Sequence, residues 1–270
     1  MRTEKSSGAV TASGRSGKTR RRGGSSRVLP ALALLGFLLL WQGIAMLIDA
    51  AYILPTPVQV LQRLWELREP LFLVHLPATM GITGLGLLIS VVLGVLLAVF
   101  MDASPTAERA LYPLIVASQT IPTMAIAPLF VLWFGYSIWS KVLAAILITF
   151  FPVAITLHDA LRSPPREMEE YMRTGGAGRW EIFWKLKVPW AVPSFFSAVR
   201  MAIPICVIGA AIGEWLGAQS GLGYFSKRMM TQLDGAGVFA PIVLLSAAAM
   251  LVVWIVEKLE KKFVTWRKEL

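Results

Sequence analysis

Residues 77–101 read PATMGITGLGLLISVVLGVLLAVFM, a run of 25 residues without a charged side chain. A helix needs about 20 consecutive apolar residues to cross the hydrocarbon core of a bilayer, because each residue advances the helix by about 1.5 Å. The whole chain of 270 residues is 56% hydrophobic and 16% charged, whereas soluble domains are about 45–50% apolar and about 25% charged. This composition excludes an ordinary soluble domain and indicates an all-α polytopic membrane protein.

Five further segments are long and apolar enough to cross a membrane. They are 30–48, 111–134, 138–157, 195–216 and 238–256. We therefore predict six transmembrane helices in a membrane domain that covers residues 28–270. The first segment is longer than the apolar core of a secretion signal, which has roughly 7–15 residues, and no small-x-small cleavage site follows it. We expect it to remain in the protein as a helix.

Lysine and arginine are distributed unequally between the two sides of these predicted helices. Twenty lie in residues 1–27, 102–110, 159–193 and beyond Val256, against four on the other side. Because loops rich in Lys and Arg stay in the cytoplasm, we predict that both termini and the 159–193 segment are cytoplasmic. The basic tail 1–27 has little apolar content to drive folding, so we expect it to be disordered. We expect it to be attracted to anionic lipid rather than to nucleic acid.

No residue pattern in the chain is typical of an enzyme. Catalytic sites need clustered carboxylates, a set of metal ligands, or a nucleophile with its base. The two histidines, His75 and His158, are predicted to lie on opposite sides of the membrane. The single cysteine, Cys206, excludes an intramolecular disulfide, and no glycine-rich run has the pattern of a phosphate-binding loop. We expect a non-catalytic protein without a metal or cofactor, which does not itself bind ATP.

The loop 159–193 is the most informative part of the chain. It contains six basic and five acidic residues, so we expect it to be exposed to water. Residues 166–174 are predicted to form a short helix whose first turn is acidic, which stabilises the helix dipole. Gly175, Gly176 and Gly178 then predict a turn in which the backbone can adopt a positive φ angle.

A second helix of this loop is predicted from Arg179 onward. Its side chains at positions i, i+3, i+4 and i+7 are Trp180, Phe183, Trp184 and Lys187. Three large aromatic groups therefore share one helix face, and Pro189 and Pro193 indicate where the chain returns to the membrane. Such a face suits docking into a partner's groove. Packing beneath the protein's own membrane helices fits the same spacing equally well.

Residues 54–67 connect the first two predicted spans. The sequence Leu-Pro-Thr-Pro at 54–57 stops the preceding helix, and apolar residues then recur at helical spacing from Val58 to Leu67. This pattern predicts a short amphipathic helix on the outer membrane surface. It is compatible both with a cap on the protein's own outer mouth and with direct contact to a partner.

Two charged residues fall inside the predicted span 195–216. Arg200 and Glu214 lie about 21 Å apart along one helix, so they cannot pair with each other. We expect Arg200 to reach the cytoplasmic surface, and Glu214 either to meet a partner on another span or to line a translocation path. Pro122 and Pro128 are the other candidates for that path, because prolines can kink the helices that line one.

Small residues also mark the span 195–216. They include Gly209, Gly213 and Gly217. Small side chains permit the close approach of another helix, either from the same chain or from a second subunit.

The loop 159–193 resembles the EAA loop of bacterial ABC importer permeases. That pattern reads Glu-Ala-Ala, three residues, Gly, nine residues, Ile, one residue, Leu-Pro. The corresponding residues here are Glu170, Tyr171, Met172, Gly176, Leu186, Val188 and Pro189. The glutamate, glycine and proline match in identity and spacing. Tyr171 and Met172 replace the two alanines. These larger side chains affect how closely the first loop helix can pack, but they leave the spacing of the motif unchanged.

Further runs resemble the nitrate/sulfonate/taurine-type branch of this family, which also includes permeases for a thiamine pyrimidine precursor. These runs lie at 54–57, 119–122, 127–129, 133–135, 213–218 and 220–223. The sequence Gln-Thr-Ile-Pro at 119–122 is more similar to that of the pyrimidine-precursor members. The resemblance covers about residues 30–265.

The resemblance implies a type I importer permease, the transmembrane subunit of an ATP-driven importer in a bacterial cytoplasmic membrane. It also implies two copies of a separate ATPase, an extracytoplasmic solute-binding protein and a permease homodimer. The resemblance assigns Glu170, Gly176 and Pro189 to coupling with the ATPase. We add Arg173, Arg179, Trp180, Phe183 and Trp184 from the two loop helices that carry the motif. The implied cargo is a small solute such as a sulfonate, taurine, nitrate or a thiamine pyrimidine precursor.

An ion-gradient-driven secondary transporter or channel is the alternative. Such a protein would need several buried acidic groups or an inverted repeat. The predicted spans contain one acid, Glu214, and no convincing repeat. This alternative would also leave the 159–189 loop without a role, so the importer permease is the preferred hypothesis.

Overall fold

The structure is a computed structural model that describes residues 28–265. Within this range the chain forms ten helices and no strand. They are α1 (Val28–Ile48), α2 (Pro57–Glu66), α3 (Arg68–Ala103), α4 (Pro105–Ser118), α5 (Thr123–Phe134), α6 (Ile138–Leu161), α7 (Arg166–Thr174), α8 (Arg179–Gly217), α9 (Leu222–Thr231) and α10 (Gly235–Phe263). The predicted basic tail 1–27 lies outside the described residues.

Five of these helices, α1, α3, α6, α8 and α10, are long and apolar enough to cross a membrane. The helices α4 and α5 pass the same test only together, and they are bent by 96° relative to each other. The count is six, as predicted, when this bent pair is taken as one span. The predicted span 111–134 is therefore not one straight helix.

The bend between α4 and α5 has a local cause. Pro122 has no backbone N–H to continue a helix, and it disfavours helical angles at the preceding residue. Its own ψ angle of 117° is that of extended chain. The helix α4 also begins earlier than the predicted span, at Pro105, because the Ser104 hydroxyl accepts a hydrogen bond from the Ala107 amide over 3.3 Å. The break thus follows from proline chemistry, and the early start follows from a helix cap.

The helices α3, α6 and α8 form the close-packed centre of the protein. A Cβ atom placed on Gly209 would lie 2.7 Å from the Cα of Ala145, and one on Gly213 would lie 2.8 Å from the Cα of Lys141. A Cβ on Gly94 of α3 would lie 2.8 Å from the Cβ of Val153. The close helix approach predicted for Gly209 and Gly213 is confirmed, and within the chain it serves the packing of α8 on α6.

Two wide helical turns with π-type hydrogen bonds interrupt the long helices. They cover Leu71–His75 in α3 and Phe183–Lys187 in α8. A proline follows each wide turn at the second position after its end, Pro77 in α3 and Pro189 in α8. A wide turn moves the carbonyl four residues earlier away from the proline ring, so the helix can continue. The loop helix predicted from Arg179 and the predicted span 195–216 are therefore one continuous helix, α8, which runs through Pro189 and Pro193.

The helices α2, α9 and α10 pack at one end of the bundle, which we call the opposite end. The buried core at this end comes from α3, α9 and α10, and Leu64 of α2 packs against it. Its members are Leu71, Leu222, Phe225, Met229, Ala240 and Leu244. The Arg63 side chain of α2 donates a hydrogen bond to Asp234 over 2.8 Å. Hydrogen bonds to Glu66 and to Asp234 raise the pKa of Arg63 above its usual value. This ion pair ties α2 to the start of α10.

The predicted amphipathic helix after residues 54–57 is confirmed as α2. The Thr56 hydroxyl accepts a hydrogen bond from the Gln59 amide, and the Gln59 side chain accepts one from the Thr56 amide, which forms a capping box. Val60 is buried, whereas Trp65 is 70% exposed. One face of α2 therefore caps its own chain, and the other face, which carries Trp65, is largely exposed.

Candidate functional site

The end of the bundle that carries α7 and the start of α8 is rich in charged side chains, and we call it the charged end. The helix α7 ends in a Schellman motif. The Ala177 amide donates to the Met172 carbonyl and the Gly176 amide donates to the Arg173 carbonyl, each over 3.0 Å. Gly176 has a φ angle of +83°. It is the residue of the predicted turn that needs glycine, because Gly175 and Gly178 have ordinary φ angles near −75°.

The predicted aromatic face on α8 forms a cluster. The ring centroids of Trp180 and Phe183 are 5.8 Å apart, and those of Phe183 and Trp184 are 5.4 Å apart. Phe183 packs inward against a buried group formed by Ala98, Leu157, Ala160, Leu161 and Ala191. Trp180 is 71% exposed and Trp184 is 53% exposed. Phe183 thus packs under the membrane helices, as one of the two alternatives held. The two tryptophans face outward, and their docking into a partner stays a prediction.

A cavity of about 340 Å³ separates α7 and the start of α8 from the end of α3. Its lining includes Asp102, Glu169, Arg173, Arg179, Trp180, Phe183 and Lys187. The structure therefore brings the predicted residues Arg173, Arg179, Trp180 and Phe183 together at one surface. Among the described residues no three His, Cys, Asp or Glu side chains cluster closely enough to hold a metal ion.

The two glutamates of α7 have different surroundings. Glu170, the predicted coupling residue, is exposed. Its neighbour Glu169 faces the cavity and forms ion pairs with Arg173 over 3.7 Å and with Lys187 over 3.8 Å. The sequence motif predicts Glu170 as a site residue and does not include Glu169. Helical spacing was the available signal, since residues four apart such as Glu169 and Arg173 are neighbours on a helix surface.

Ion pairs connect the loop with the membrane helices at the charged end. The Lys187 ammonium lies 2.7 Å from a carboxylate oxygen of Asp102, and the two side chains are 18% and 7% exposed. Glu108 of α4 contacts Arg162 and also lies 3.4 Å from the buried His158 ring. Asp102 and Glu108 were not predicted as site residues, because each pairs with a residue far along the chain.

The three residues proposed for a translocation path lie on two elements. Pro122 and Pro128 are exposed, at the start of α5 and within it. Glu214 is 1% exposed, and its Oε2 accepts a hydrogen bond from the Gly223 amide over 2.7 Å. Of the two roles left open for Glu214, the geometry supports contact with another segment. A role in a path stays a prediction.

Two basic residues of the long helices, Arg200 and Lys141, also have polar partners. Arg200 lies 3.0 Å from a carboxylate oxygen of Glu260 on α10. Lys141 donates hydrogen bonds to the carbonyls of Tyr136 and Ser137, at 3.0 and 3.1 Å. Both cations therefore have polar partners rather than standing isolated in an apolar environment.

Comparison with known proteins decides the family. Residues 90–265 match the family described as the binding-protein-dependent transport system inner membrane component. The chain belongs to this family. It is thus an ABC importer permease, a transport subunit that moves a small solute, and it is a multi-span protein of the inner membrane. The alternative of a secondary transporter or channel is set aside.

Several curated permeases are similar over nearly their whole length. The formylaminopyrimidine transport permease ThiX of Halalkalibacterium halodurans is 51% identical over 240 residues, 89% of this chain and 96% of the relative. The riboflavin transport permease RibX of Chloroflexus aurantiacus is 34% identical, over 88% of this chain and 89% of the relative. The taurine transport permease TauC of Escherichia coli is 27% identical, over 91% and 92%. The resemblance to this branch is confirmed.

A solved structure shows the same fold. An inward-facing structure of the MetNI methionine ABC transporter matches with a TM-score of 0.58 and 18% identity, over 70% of this chain and 92% of that chain. At this identity the match concerns the fold alone. The prediction of an importer-permease fold is confirmed.

Proposed function

We propose that this permease imports a formylaminopyrimidine or a closely related pyrimidine precursor of thiamine. The observation that carries this proposal is the 51% identity to a formylaminopyrimidine permease over 89% of the chain. Permeases named for riboflavin, aliphatic sulfonates and taurine are 34%, 31% and 27% identical. Sulfonates, taurine and nitrate form the second class of cargo to be tested.

The proposed complex contains two copies of this permease, two ATPase subunits and one extracytoplasmic binding protein. The charged end faces the cytoplasm in this proposal, because it carries α7 and the basic residues around it. The opposite end, with α2 and α9, faces the binding protein. Both chain termini are then cytoplasmic.

The ATPase docks on what we call the coupling surface. It consists of Glu170, Arg173, Gly176, Arg179, Trp180, Phe183, Trp184 and Pro189. The exposure of Trp180 and Trp184 supports this role, since large aromatic side chains that are exposed to solvent are typical anchors of protein interfaces. Phe183 and Pro189 support the surface from behind by fixing the start of α8. Pro122, Pro128 and Glu214 are proposed for the translocation path.

Uptake measurements test the cargo. Membrane vesicles that contain the permease with its ATPase and binding protein are given ATP and radiolabelled formylaminopyrimidine, with taurine and nitrate as competitors. We expect ATP-dependent uptake that unlabelled formylaminopyrimidine blocks and that taurine and nitrate leave unchanged. Uptake blocked by taurine or nitrate, or no uptake at all, would contradict the proposed cargo.

Reporter fusions test the orientation. Fusions after Glu69 and after Asp234 are expected to report the outer side of the membrane, and a fusion after Arg173 the cytoplasmic side. A reversed result at any of these positions would overturn the proposed topology.

A further inference from the structure

The ion pair between Lys187 and Asp102 joins the start of α8 to the end of α3 at the charged end. We propose that this pair transmits the movement of the coupling surface to α3, and through α3 to the segment 218–222 at the opposite end. The proposal rests on the coupling surface proposed above. Lys187 and Asp102 are positioning residues in this scheme, since neither touches the ATPase or the solute.

The surroundings of Lys187 place it at a junction of three elements. Its ammonium lies 2.7 Å from Asp102 on α3 and 3.8 Å from Glu169 on α7, while its backbone belongs to α8. Asp102 is 7% exposed, so water screens the pair poorly. Removal of one partner would leave a charge that is largely shielded from water, which is far more costly than the loss of a surface ion pair.

The wide turn Phe183–Lys187 explains how one short stretch serves two purposes. In a regular helix Trp180, Trp184 and Lys187 would share a face. The additional residue in the wide turn rotates the end of the stretch relative to its start. Trp180 and Trp184 therefore remain exposed while Phe183 and Lys187 face the membrane helices. Force applied to the tryptophans thus reaches Lys187 through a single turn of helix.

The other end of α3 holds the segment that precedes α9. The His75 Nδ1 atom accepts a hydrogen bond from the Gly221 amide over 3.1 Å. The Thr79 hydroxyl accepts one from the Leu222 amide over 2.8 Å. About 40 Å of helix separates His75 from Asp102 at the usual rise per residue. The helix α3 therefore contacts the coupling loop at one end and the 218–222 segment at the other.

Thiol labelling in the assembled complex tests this connection without reference to the cargo. A reporter cysteine is placed at the half-buried Ser220 by Ser220→Cys, and the buried native thiol is removed by Cys206→Ala. The labelling rate at position 220 is compared between the nucleotide-free and the vanadate-trapped complex. We expect the two rates to differ by about fivefold or more, a typical allosteric factor.

The substitution Lys187→Met is expected to abolish this difference while the ATPase still co-purifies. The exchange Lys187→Asp with Asp102→Lys is expected to restore the difference to within about twofold, which a packing defect would not allow. The matched control is Lys185→Met, since Lys185 lies in the same turn, is 66% exposed and pairs only with Glu181 over 2.8 Å within the described residues. This control is expected to retain the full difference.

Three results would overturn the proposal. They are equal labelling rates in the two states of the reporter protein without further changes, a full difference in Lys187→Met, and an exchange variant that folds normally but shows no restored difference. The variant Lys187→Arg keeps the charge opposite Asp102. A labelling difference that is retained in Lys187→Arg and lost in Lys187→Met is therefore due to the charge and not to loss of folding at this position. Failure of the uptake experiment would contradict only the cargo. Failure of the ATPase to co-purify with the unaltered coupling surface would contradict the docking proposal instead.

Discussion

The carboxylate of Glu214 accepts a hydrogen bond from the backbone amide of Gly223, with 2.7 Å between Oε2 and the nitrogen. Gly223 is the second residue of α9, whose first amides have no partner within the helix. The glutamate therefore caps a helix that follows it by only a few residues. The intervening Gly221 has a φ angle of +118°, which side-chain-bearing residues rarely adopt, so glycine is strongly favoured there.

This cap predicts a difference between two substitutions of Glu214. Glu214→Ala leaves the Gly223 amide buried without an acceptor and is expected to lower the free energy of unfolding by about 1–3 kcal/mol. Glu214→Gln retains an acceptor oxygen and should cost less. Thermal unfolding of the purified protein in detergent measures both. The exposed Glu69 provides the control, Glu69→Ala. Equal losses for Glu214→Ala and Glu214→Gln would show that the cap is not what the carboxylate provides.

The turn after α7 predicts a specific requirement for glycine. Gly176 has a φ angle of +83° and no atom within 4 Å of a built Cβ, so Gly176→Val is strained by its backbone alone, by about 1–3 kcal/mol. We expect the variant to insert in the membrane but to lose ATPase co-purification and ATP-driven uptake. Gly178→Val is the matched control, because Gly178 has equal space and an ordinary φ angle. Normal uptake by the Gly176 variant would remove this turn from the coupling mechanism.

The aromatic cluster predicts that stability and docking depend on different side chains. Phe183→Ala is expected to destabilise the protein by about 2 kcal/mol, roughly half the loss for a fully buried phenylalanine. Trp180→Ala should cost about 1 kcal/mol or less, since it removes an exposed ring that stacks on Phe183. It should nevertheless weaken ATPase co-purification. Unfolding curves and pull-down of the ATPase separate the two effects. The hypothesis fails if the Trp180 variant binds the ATPase as strongly as the unaltered protein.

The close contact of α3 with α6 predicts opposite outcomes for two glycines of one helix. A Cβ on Gly94 would lie 2.8 Å from the Cβ of Val153, whereas nothing lies within 4 Å of a Cβ on Gly84. Gly94→Ala is expected to cost about 1–3 kcal/mol through overpacking. Gly84→Ala should cause no loss, because alanine is the better helix former. Detergent unfolding midpoints compare the two, and an equal effect at both positions would contradict the packing described here.

Much of the architecture could be predicted from the chain because it depends on local properties. Five apolar runs correspond to the helices α1, α3, α6, α8 and α10. The length of an apolar run predicts a span because the hydrocarbon core of a bilayer has a nearly fixed thickness. The helix α7 and the turn at Gly176 were likewise predicted with correct bounds, because proline and glycine act on the backbone where they stand.

The predictions that needed correction concern helix continuity. The 111–134 segment is bent at Pro122, and α8 continues through Pro189. Both positions carry a proline in an apolar context, so composition does not separate them. The difference is the wide turn before Pro189, whose residues Phe183 and Lys187 both pack inward. A proline's effect on a helix thus depended on contacts that are made elsewhere in the fold.

The sequence by itself determined which segments enter the membrane, where the loop helices begin, and to which family the chain belongs. These follow from apolar run length, backbone-restricting residues and motif spacing, each of which acts over about 20 residues or fewer. Only the tertiary structure decided that Lys187 meets Asp102, 85 residues away, and that Trp180 stays exposed while Phe183 is covered. Ion pairs and burial depend on which helices become neighbours, and that choice is made by the close packing of α3, α6 and α8 as a whole.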